Sequence, residues 1–170
     1  MADGSGQHEE TGAGAQRGAS DGWFFCVRLQ GGRYAFEASL AVEVVRLGPV
    51  TRLPAAPAFL PGVFTHRGEV LAVLDAGLLA GLGAVPIRSA TRAAIVQVGS
   101  YRVALVADGV EGLLSIPARQ VEPPPAQQGG LSEFLSGVGR DRRGTVALLD
   151  LAALVERARA RAVPAAGEGA

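Results

Sequence analysis

Lysine is absent from this sequence, and all 16 of its Lys/Arg-type cationic residues are arginine. A chain without lysine has no P-loop lysine, no Schiff-base nucleophile and no lysine that binds phosphate as in a kinase. Cys26 is the sole cysteine of the 170 residues, which excludes an intrachain disulfide and a cysteine-rich zinc site. These absences exclude many classes of enzyme before any motif is considered.

Histidine is nearly as scarce, with only His8 and His66 in the chain. His66 stands beside an arginine, a setting typical of an exposed loop residue rather than of a catalytic base. No G-x-S-x-G motif occurs, and the glycine-rich segments lack the strand–loop–helix context of a phosphate site. Asp75, Asp108 and Asp150 each follow an apolar run, where turns or helix caps are expected. We therefore expect no enzymatic activity, no cofactor and no metal ion.

An excess of charge of either sign is also missing, because 16 acidic residues balance the 16 arginines. Proteins that bind nucleic acid usually carry a basic surface, so no nucleic-acid partner is expected. The arginines within 140–143 and 157–161 have no aromatic residues interleaved with them. We interpret both clusters as solvated surface charge.

Long apolar runs are absent as well. No stretch approaches the roughly 18 uncharged apolar residues that cross a bilayer, so we expect a cytoplasmic protein without direct membrane insertion. Residues 1–22 lack the apolar segment of a signal peptide and are rich in glycine, alanine and serine. We interpret them, and residues 163–170, as disordered tails. The folded domain is expected over residues 23–162.

That central region alternates short apolar runs with glycine or proline turns, a pattern typical of a mostly β sandwich or barrel. Gly99-Ser100 suits a two-residue type II′ turn between two strands, and the prolines of 49–61 predict a loop. The predicted strands are 24–29, 34–36, 42–47, 69–74, 93–98, 101–107, 113–116 and 145–149.

Helical patterns are few. Asp150 is a plausible N-cap for a C-terminal helix, because apolar residues follow it at the i, i+3, i+4 and i+7 positions of one face. These apolar residues are Leu151, Leu154, Val155 and Ala158. A shorter helix of one or two turns is predicted over 78–82.

One order of features occurs twice in the chain. Gly62-Val63 precedes an Arg-Gly pair, an apolar strand, Asp75 and apolar helix residues. Gly137-Val138 precedes the same series, which ends at Asp150. The repetition indicates two similar small barrels within one chain.

Taken in order, the segments of residues 22–160 resemble the CheW-like family. The segments that carry the resemblance are Tyr34-Ala35-Phe36, Val42–Leu47, Pro49–Pro54, Pro57–Val63, Arg67-Gly68, Val70–Asp75, Val103–Val110 with the strand ending at Ile116, Pro123-Pro124-Pro125, Phe134–Gly139 and Leu148–Leu151. The resemblance implies a mostly β fold of two SH3-like five-stranded β-barrel subdomains that share a hydrophobic core, with a C-terminal α-helix.

The same resemblance implies a non-catalytic scaffold of bacterial chemosensory arrays. Such proteins couple methyl-accepting chemoreceptors to the regulatory domain of a CheA-type histidine kinase, and the receptor's hairpin tip docks in an apolar groove between the subdomains. A stand-alone coupling protein recruited to receptor arrays is expected, because only tails flank the domain. The alternative is an array filler or competitor that binds the kinase without receptor.

Eight residues occupy positions that the resemblance associates with partner contact: Glu43, Val44, Gly62, Val63, Thr65, His66, Arg67 and Gly68. A guanidinium at Arg67 can bridge carboxylates of a partner. The glycines fit turn geometry equally well, and Val63 fits either a groove or the core. Thr65-His66 stands where the family has Asn-Leu, which implies an altered choice of receptor or kinase.

Overall fold

The computed structural model describes residues 22–126 and 130–163, and within these ranges it contains ten β-strands and two α-helices. The strands are β1 (Gly22–Leu29), β2 (Gly32–Glu37), β3 (Ala41–Arg46), β4 (Gly62–His66), β5 (Glu69–Asp75), β6 (Arg92–Val98), β7 (Tyr101–Ala107), β8 (Gly109–Ile116), β9 (Leu135–Asp141) and β10 (Gly144–Leu149). The helices are α1 (Ala76–Leu79) and α2 (Leu151–Ala162). The predicted tails lie outside the described residues, except for Gly22, which begins β1, and Val163, which follows α2.

The strands form two five-stranded sheets with one shared pattern. Their orders are β8-β1-β2-β10-β9 and β3-β6-β7-β5-β4. Each sheet has a central antiparallel hairpin, β1–β2 or β6–β7, whose second strand pairs in parallel with the outer hairpin β9–β10 or β4–β5. This architecture confirms the predicted mostly β fold of two five-stranded subdomains with a C-terminal helix.

The repeat seen in the sequence corresponds to equivalent hydrogen bonds. The amide of Asp75 donates to the carbonyl of Phe59 (2.8 Å), and the amide of Asp150 donates to the carbonyl of Phe134 (2.7 Å). The side chains of both aspartates cap the following helix. Isolated β-bridges also occur at matching places, Thr51–Val63 and Glu122–Val138. The two barrels are therefore alike in their capping and bridging contacts as well as in strand order.

Two strands were not predicted, and both are the first strand of an outer hairpin. β4 and β9 contain glycines at close approaches between chain segments. A side chain at Gly62 would collide with the carbonyl of Thr51, and one at Gly139 would lie 2.7 Å from Ile116. These glycines serve tertiary contacts, which local propensity does not register. The first helix was also misplaced: it begins at Ala76, directly after Asp75, rather than at Leu78.

One large hydrophobic core joins the two sheets. It includes Val27 and Phe36 from the first sheet and Ile95 and Leu105 from the second, all at most 1% exposed. The predicted apolar face of α2 is buried in the same core. Both sheets and α2 therefore share one core.

The arginines of α2 are exposed, as predicted for surface charge, and Arg157 and Arg159 also contact neighbouring side chains. The guanidinium carbon of Arg159 lies 4.1 Å from the centre of the Tyr101 ring, and Arg157 pairs with Glu133 at 3.1 Å. A cation over an aromatic face stabilises by about 0.5–1 kcal/mol at an exposed site. The contact of Arg159 attaches the end of α2 to the second sheet, because Tyr101 belongs to β7, whereas Glu133 lies in the 3-10 turn Gly130–Phe134.

A partly buried ion-pair cluster lies on the first barrel. The guanidinium of Arg33 donates to both carboxylate oxygens of Asp141 (2.7 Å each) and also contacts Glu111. The bonds from Arg33 lower the pKa of Asp141 to about 2, and they also lower the pKa of Glu111. A carboxyl group with a lowered pKa in the fold stabilises it above the unfolded-state pKa, and that stability is lost as the pH falls.

We expect the free energy of unfolding to fall as the pH drops from about 5 towards 2, and Asp141→Asn to reduce that fall. The part due to Asp141 is on the order of 1–2 kcal/mol, because solvent screens some of the interaction. Urea unfolding at pH 7 and pH 3 measures the effect. Glu156→Gln is the control, since Glu156 is in an exposed pair on α2. An equal acid-induced loss in wild type and Asp141→Asn would contradict the prediction.

Candidate partner-binding groove

An open apolar groove lies between the two sheets, at the edge strands β3 and β8. Its volume is about 550 Å³. Side chains from β1, β8, β3 and the 3-10 turn Ala38–Leu40 line it. The apolar lining consists mainly of Trp23, Phe25, Val42, Val44 and Leu113. It is therefore bordered by an edge strand of each sheet, β8 of the first and β3 of the second.

Several large apolar side chains in this groove are exposed. Trp23 and Leu113 are 61% and 63% exposed, and Val42 and Val44 are 46% and 37% exposed. Single exposed apolar residues are ordinary on protein surfaces, but a contiguous patch marks an interaction site. The groove is therefore a candidate interaction site on this fold.

The strand pattern of β3 explains how its residues reach the groove. Along this strand Val42, Val44 and Arg46 are exposed, and the residues between them are half-buried. The register with β6 shifts between Ala41 and Glu43, so β3 carries a local irregularity at the start of the groove. Val44 is exposed and Glu43 is half-buried, and both residues line the groove.

Glu43, His66 and Arg67 meet at one rim of this groove. The His66 ring nitrogen Nε2 lies 2.7 Å from Glu43 Oε1, and the guanidinium of Arg67 lies 3.2 Å from Glu43 Oε2. β3 and β4 are the first and last strands of the second sheet, so these contacts close that sheet into a barrel. The expectation that His66 is an exposed loop residue was wrong, because it ends β4 and its side chain is 23% exposed.

Arg67 adopts an unfavourable backbone conformation. It occupies the tight turn between β4 and β5 with φ of 50°, followed by Gly68 with φ of 80°. Positive φ at both central residues defines a type I′ turn, which favours Asn-Gly or Gly-Gly. A long side chain in the left-handed region costs about 1 kcal/mol, and such strain is often retained at functional positions. The Arg67 side chain is 77% exposed and accessible to a partner.

The other sequence-predicted site residues lie away from the groove. Gly62 is buried at the start of β4, and Val63 is half-buried beside the bridge to Thr51. Thr65 is exposed on β4, and Gly68 lies in the turn. Of the eight predicted positions, only Glu43 and Val44 line the groove.

The remaining groove residues were missed by sequence reasoning. Trp23 is the only tryptophan of the chain and stands at the predicted tail boundary, which was a usable signal. Phe25 and Leu113 lie in predicted strands, but their position between two sheets depends on how the sheets pack. Val42 was placed in a predicted strand but was not predicted to contact a partner.

Two other kinds of feature, a metal site and a membrane span, can be considered for the described residues. Within residues 22–126 and 130–163, no three His, Cys, Asp or Glu side chains are grouped so that they could hold a metal ion. In the same part of the chain, no helix is long and apolar enough to cross a membrane.

The fold and groove define a scaffold with two SH3-like barrels and an exposed apolar cleft between them. The family model for the CheW-like domain matches residues 24–159, which is most of the chain. The chain therefore belongs to the CheW-like family and is an adaptor of chemotaxis signalling.

Individual relatives agree with this assignment. Protein FrzA of Myxococcus xanthus is 39% identical over 142 residues, which cover 82% of this chain and 89% of FrzA. Chemotaxis protein CheW of Klebsiella aerogenes is 27% identical over 133 residues, which cover 78% of this chain and 80% of that protein. The crystal structure of the scaffolding protein TtCheW from Thermoanaerobacter tengcongensis superposes with a TM-score of 0.72, at 23% identity over 81% of this chain and 94% of that one. The structural likeness supports the fold.

Proposed function

We propose that this protein couples methyl-accepting chemoreceptors to a CheA-type histidine kinase at cytoplasmic receptor arrays. The observation that carries the proposal is the exposed apolar groove between the barrels. A helical hairpin tip of a receptor would insert apolar side chains against Trp23, Val44 and Leu113. The regulatory domain of the kinase would bind barrel surfaces outside the groove. The coupling is conformational and requires no bond to be made or broken.

The energetics of the groove suit a helical partner. An apolar side chain that passes from full exposure to burial stabilises by about 1.5–3 kcal/mol. Trp23 and Leu113 retain most of their surface in the free protein, so most of that stabilisation is available to a bound segment. Apolar helices that dock in such grooves are recognised through anchors spaced by one helical turn.

The rim next to the groove suits a polar contact. The carboxylate of Glu43 forms a hydrogen bond with Nε2 of His66 and an ion pair with Arg67. The guanidinium of Arg67 remains largely exposed. An exposed guanidinium presents donors for a second carboxylate, which a partner can supply. We assign this rim a role in partner choice, since Thr65-His66 differs from the Asn-Leu of the family.

The identity to FrzA supports one refinement of the proposal. A relative named FrzA is 39% identical across most of both chains. We therefore propose that the protein serves a dedicated pathway of the Frz type rather than a flagellar one.

A pull-down with the purified protein from native lysate, followed by mass spectrometry, tests the proposed function. Recovery of a histidine kinase together with a methyl-accepting receptor would support coupling and identify the pathway. Recovery of the kinase alone would favour the array-filler role. Recovery of neither the kinase nor a receptor would contradict both the coupling role and the array-filler role.

Arg67→Asn tests the rim by its opposite effects on folding and binding. Asn tolerates the left-handed conformation and forms the favoured Asn-Gly turn with Gly68, so the free energy of unfolding is expected to rise by about 0.5–1 kcal/mol. Affinity for the recovered partner is expected to fall by about three- to tenfold through loss of the guanidinium.

The matched control is Arg142→Asn, in the turn between β9 and β10. That variant should leave affinity unchanged in the same titration. If Arg67→Asn lowered the melting temperature, or left affinity at the wild-type value, a functional role of Arg67 would be excluded.

A further inference from the structure

Two residues beyond Val44, which lines the groove, β3 ends at Arg46, and we call this arginine and its neighbour Arg92 the cationic end. Arg46 of β3 stands directly opposite Arg92 of β6 in the antiparallel register, and both residues are exposed. Directly opposed residues lie on the same face, with Cβ atoms about 4.5–5.5 Å apart. The side chains of Arg46 and Arg92 therefore project side by side from the same face of the sheet.

This arrangement is unfavourable within the chain. Like charges at directly opposed positions of a sheet destabilise it. Among the described residues neither Arg46 nor Arg92 has an ion pair, whereas Arg28, Arg33 and Arg102 each have one. The two guanidinium groups are therefore free to pair with carboxylates of a partner.

A nearby acidic residue does not neutralise the pair. A cavity of about 450 Å³ beside Arg92 is also lined by Arg88, Asp108 and Val110. One carboxylate oxygen of Asp108 already accepts a hydrogen bond from the amide of Gln30 at 2.6 Å. This separate cavity therefore places a third arginine, Arg88, next to Arg92, and the carboxylate of Asp108 is used by the β1–β2 turn.

The cationic end is continuous with the apolar groove. On one wall, alternate residues of β3 bring Val42, Val44 and then Arg46 to the same face. On the other wall, β8 contributes Leu113 to the apolar cavity and Val110 to the cationic one. A segment that lies along the groove would meet apolar side chains first and arginines next.

We propose that the occupant of the groove is an amphipathic receptor segment with carboxylates beside its apolar stretch, and that these carboxylates pair with Arg46 and Arg92. This inference rests on the proposed function, because it specifies the partner of the same groove. The alternative occupant within the chain is residues 1–21, which carry Glu9 and Glu10. Those residues contain no Leu, Ile, Val or aromatic residue, so they cannot fill the apolar part.

Charge reversal at Arg46 tests the proposal with the full-length protein and the purified cytoplasmic fragment of the recovered receptor. Arg46→Glu is expected to weaken binding about tenfold or more at low salt, with a smaller effect at high salt. The melting temperature is expected to stay the same or rise, because an opposite-charge pair with Arg92 replaces a like-charge pair. A merely structural role would lower melting temperature and affinity together.

Matched variants separate the possible outcomes. Arg142→Glu makes the same charge change at the β9–β10 turn and should leave affinity unchanged. A Glu→Lys substitution in the receptor segment that restores affinity for Arg46→Glu would support the pairing directly. Equal affinity of wild type and Arg46→Glu, with loss of binding by Val44→Asp, would overturn this inference and leave the proposed function intact.

Two further results would be informative in the same assay. If Val44→Asp and Arg46→Glu both bind as wild type does, the groove is not the receptor site, and the proposed function fails with the inference. If Glu9→Gln combined with Glu10→Gln raises receptor affinity in a manner that requires Arg46, the N-terminal segment occupies the arginines, which overturns the proposal.

Discussion

Val44→Asp is expected to lower receptor affinity by about 100-fold or more. Val44 lies on β3 within the apolar groove and keeps 37% of its surface exposed in the free protein. A carboxylate there would have to lose its hydration when a partner covers the groove, and no cation in the apolar part would compensate it. Loss of a central apolar anchor alone typically costs 2 kcal/mol or more.

The matched control is Val70→Asp. Val70 lies on β5, is 64% exposed and does not line the groove. Because both side chains are solvent-accessible, neither substitution should lower the melting temperature by more than a few degrees. Isothermal titration with the receptor fragment measures the difference. Equal affinities for the two variants would show that the groove does not bind the receptor.

Asp75→Ala is expected to lower the free energy of unfolding by about 3 kcal/mol. The Asp75 side chain is buried, and its two oxygens accept hydrogen bonds from the amides of Leu78 (3.0 Å) and Val85 (2.8 Å). Its removal leaves both donors without this partner, and Val85 is itself buried. An unsatisfied buried polar group costs about 1–3 kcal/mol. For a chain of this size the melting temperature should fall by about 6–12 °C.

The duplicated fold supplies the matched control, Asp150→Ala. Asp150 caps α2 through the amide of Ala153 at 2.9 Å but is exposed, so water can replace the lost bond. Its loss should cost about 1 kcal/mol. Urea unfolding of both variants gives the comparison, and equal losses would contradict the role assigned to the burial of Asp75.

Asp75→Asn distinguishes hydrogen bonding from packing at this position. Each carboxylate oxygen accepts from a different amide, so one of them would face the NH₂ group of asparagine. Burial raises the pKa of Asp75, and the two backbone donors oppose that rise. We expect Asp75→Asn to recover less than half of the stability lost in Asp75→Ala. Full recovery would show that the second backbone bond is unimportant.

Local chemistry explains which elements could be predicted. Asp150 was recognised as an N-cap, and the four apolar residues that follow it are the buried face of α2. Gly99 adopts the positive φ that its predicted turn requires. Such features are set by residues a few positions apart, so they are visible in the sequence. β4 and β9 could not be predicted in this way, because their glycines are required by close contacts with segments that are distant in the sequence.

The residues of the candidate site could likewise be predicted only in part. Resemblance to the family pointed to Glu43 and Arg67, but the hydrogen bond between Glu43 and His66 joins the two end strands of a sheet. No spacing along the chain indicates that β3 and β4 meet, because that contact depends on closure of the barrel. The opposition of Arg46 and Arg92 depends in the same way on the register of β3 with β6.

The sequence by itself determined the class of this protein: a mostly β, duplicated domain of the CheW-like family. Alternating apolar runs, turn residues and helix caps act over short distances, and they specify barrels and their order. Only the tertiary structure decided the groove that we propose as the binding surface. The sequence assigned no role to Trp23 or Leu113 and assigned Val44 to partner contact only through the family resemblance, and the three form a groove because two sheets share one core while leaving the edges of β3 and β8 apart. Which apolar residues remain exposed is a property of that packing, and it is set by contacts between residues far apart in the chain.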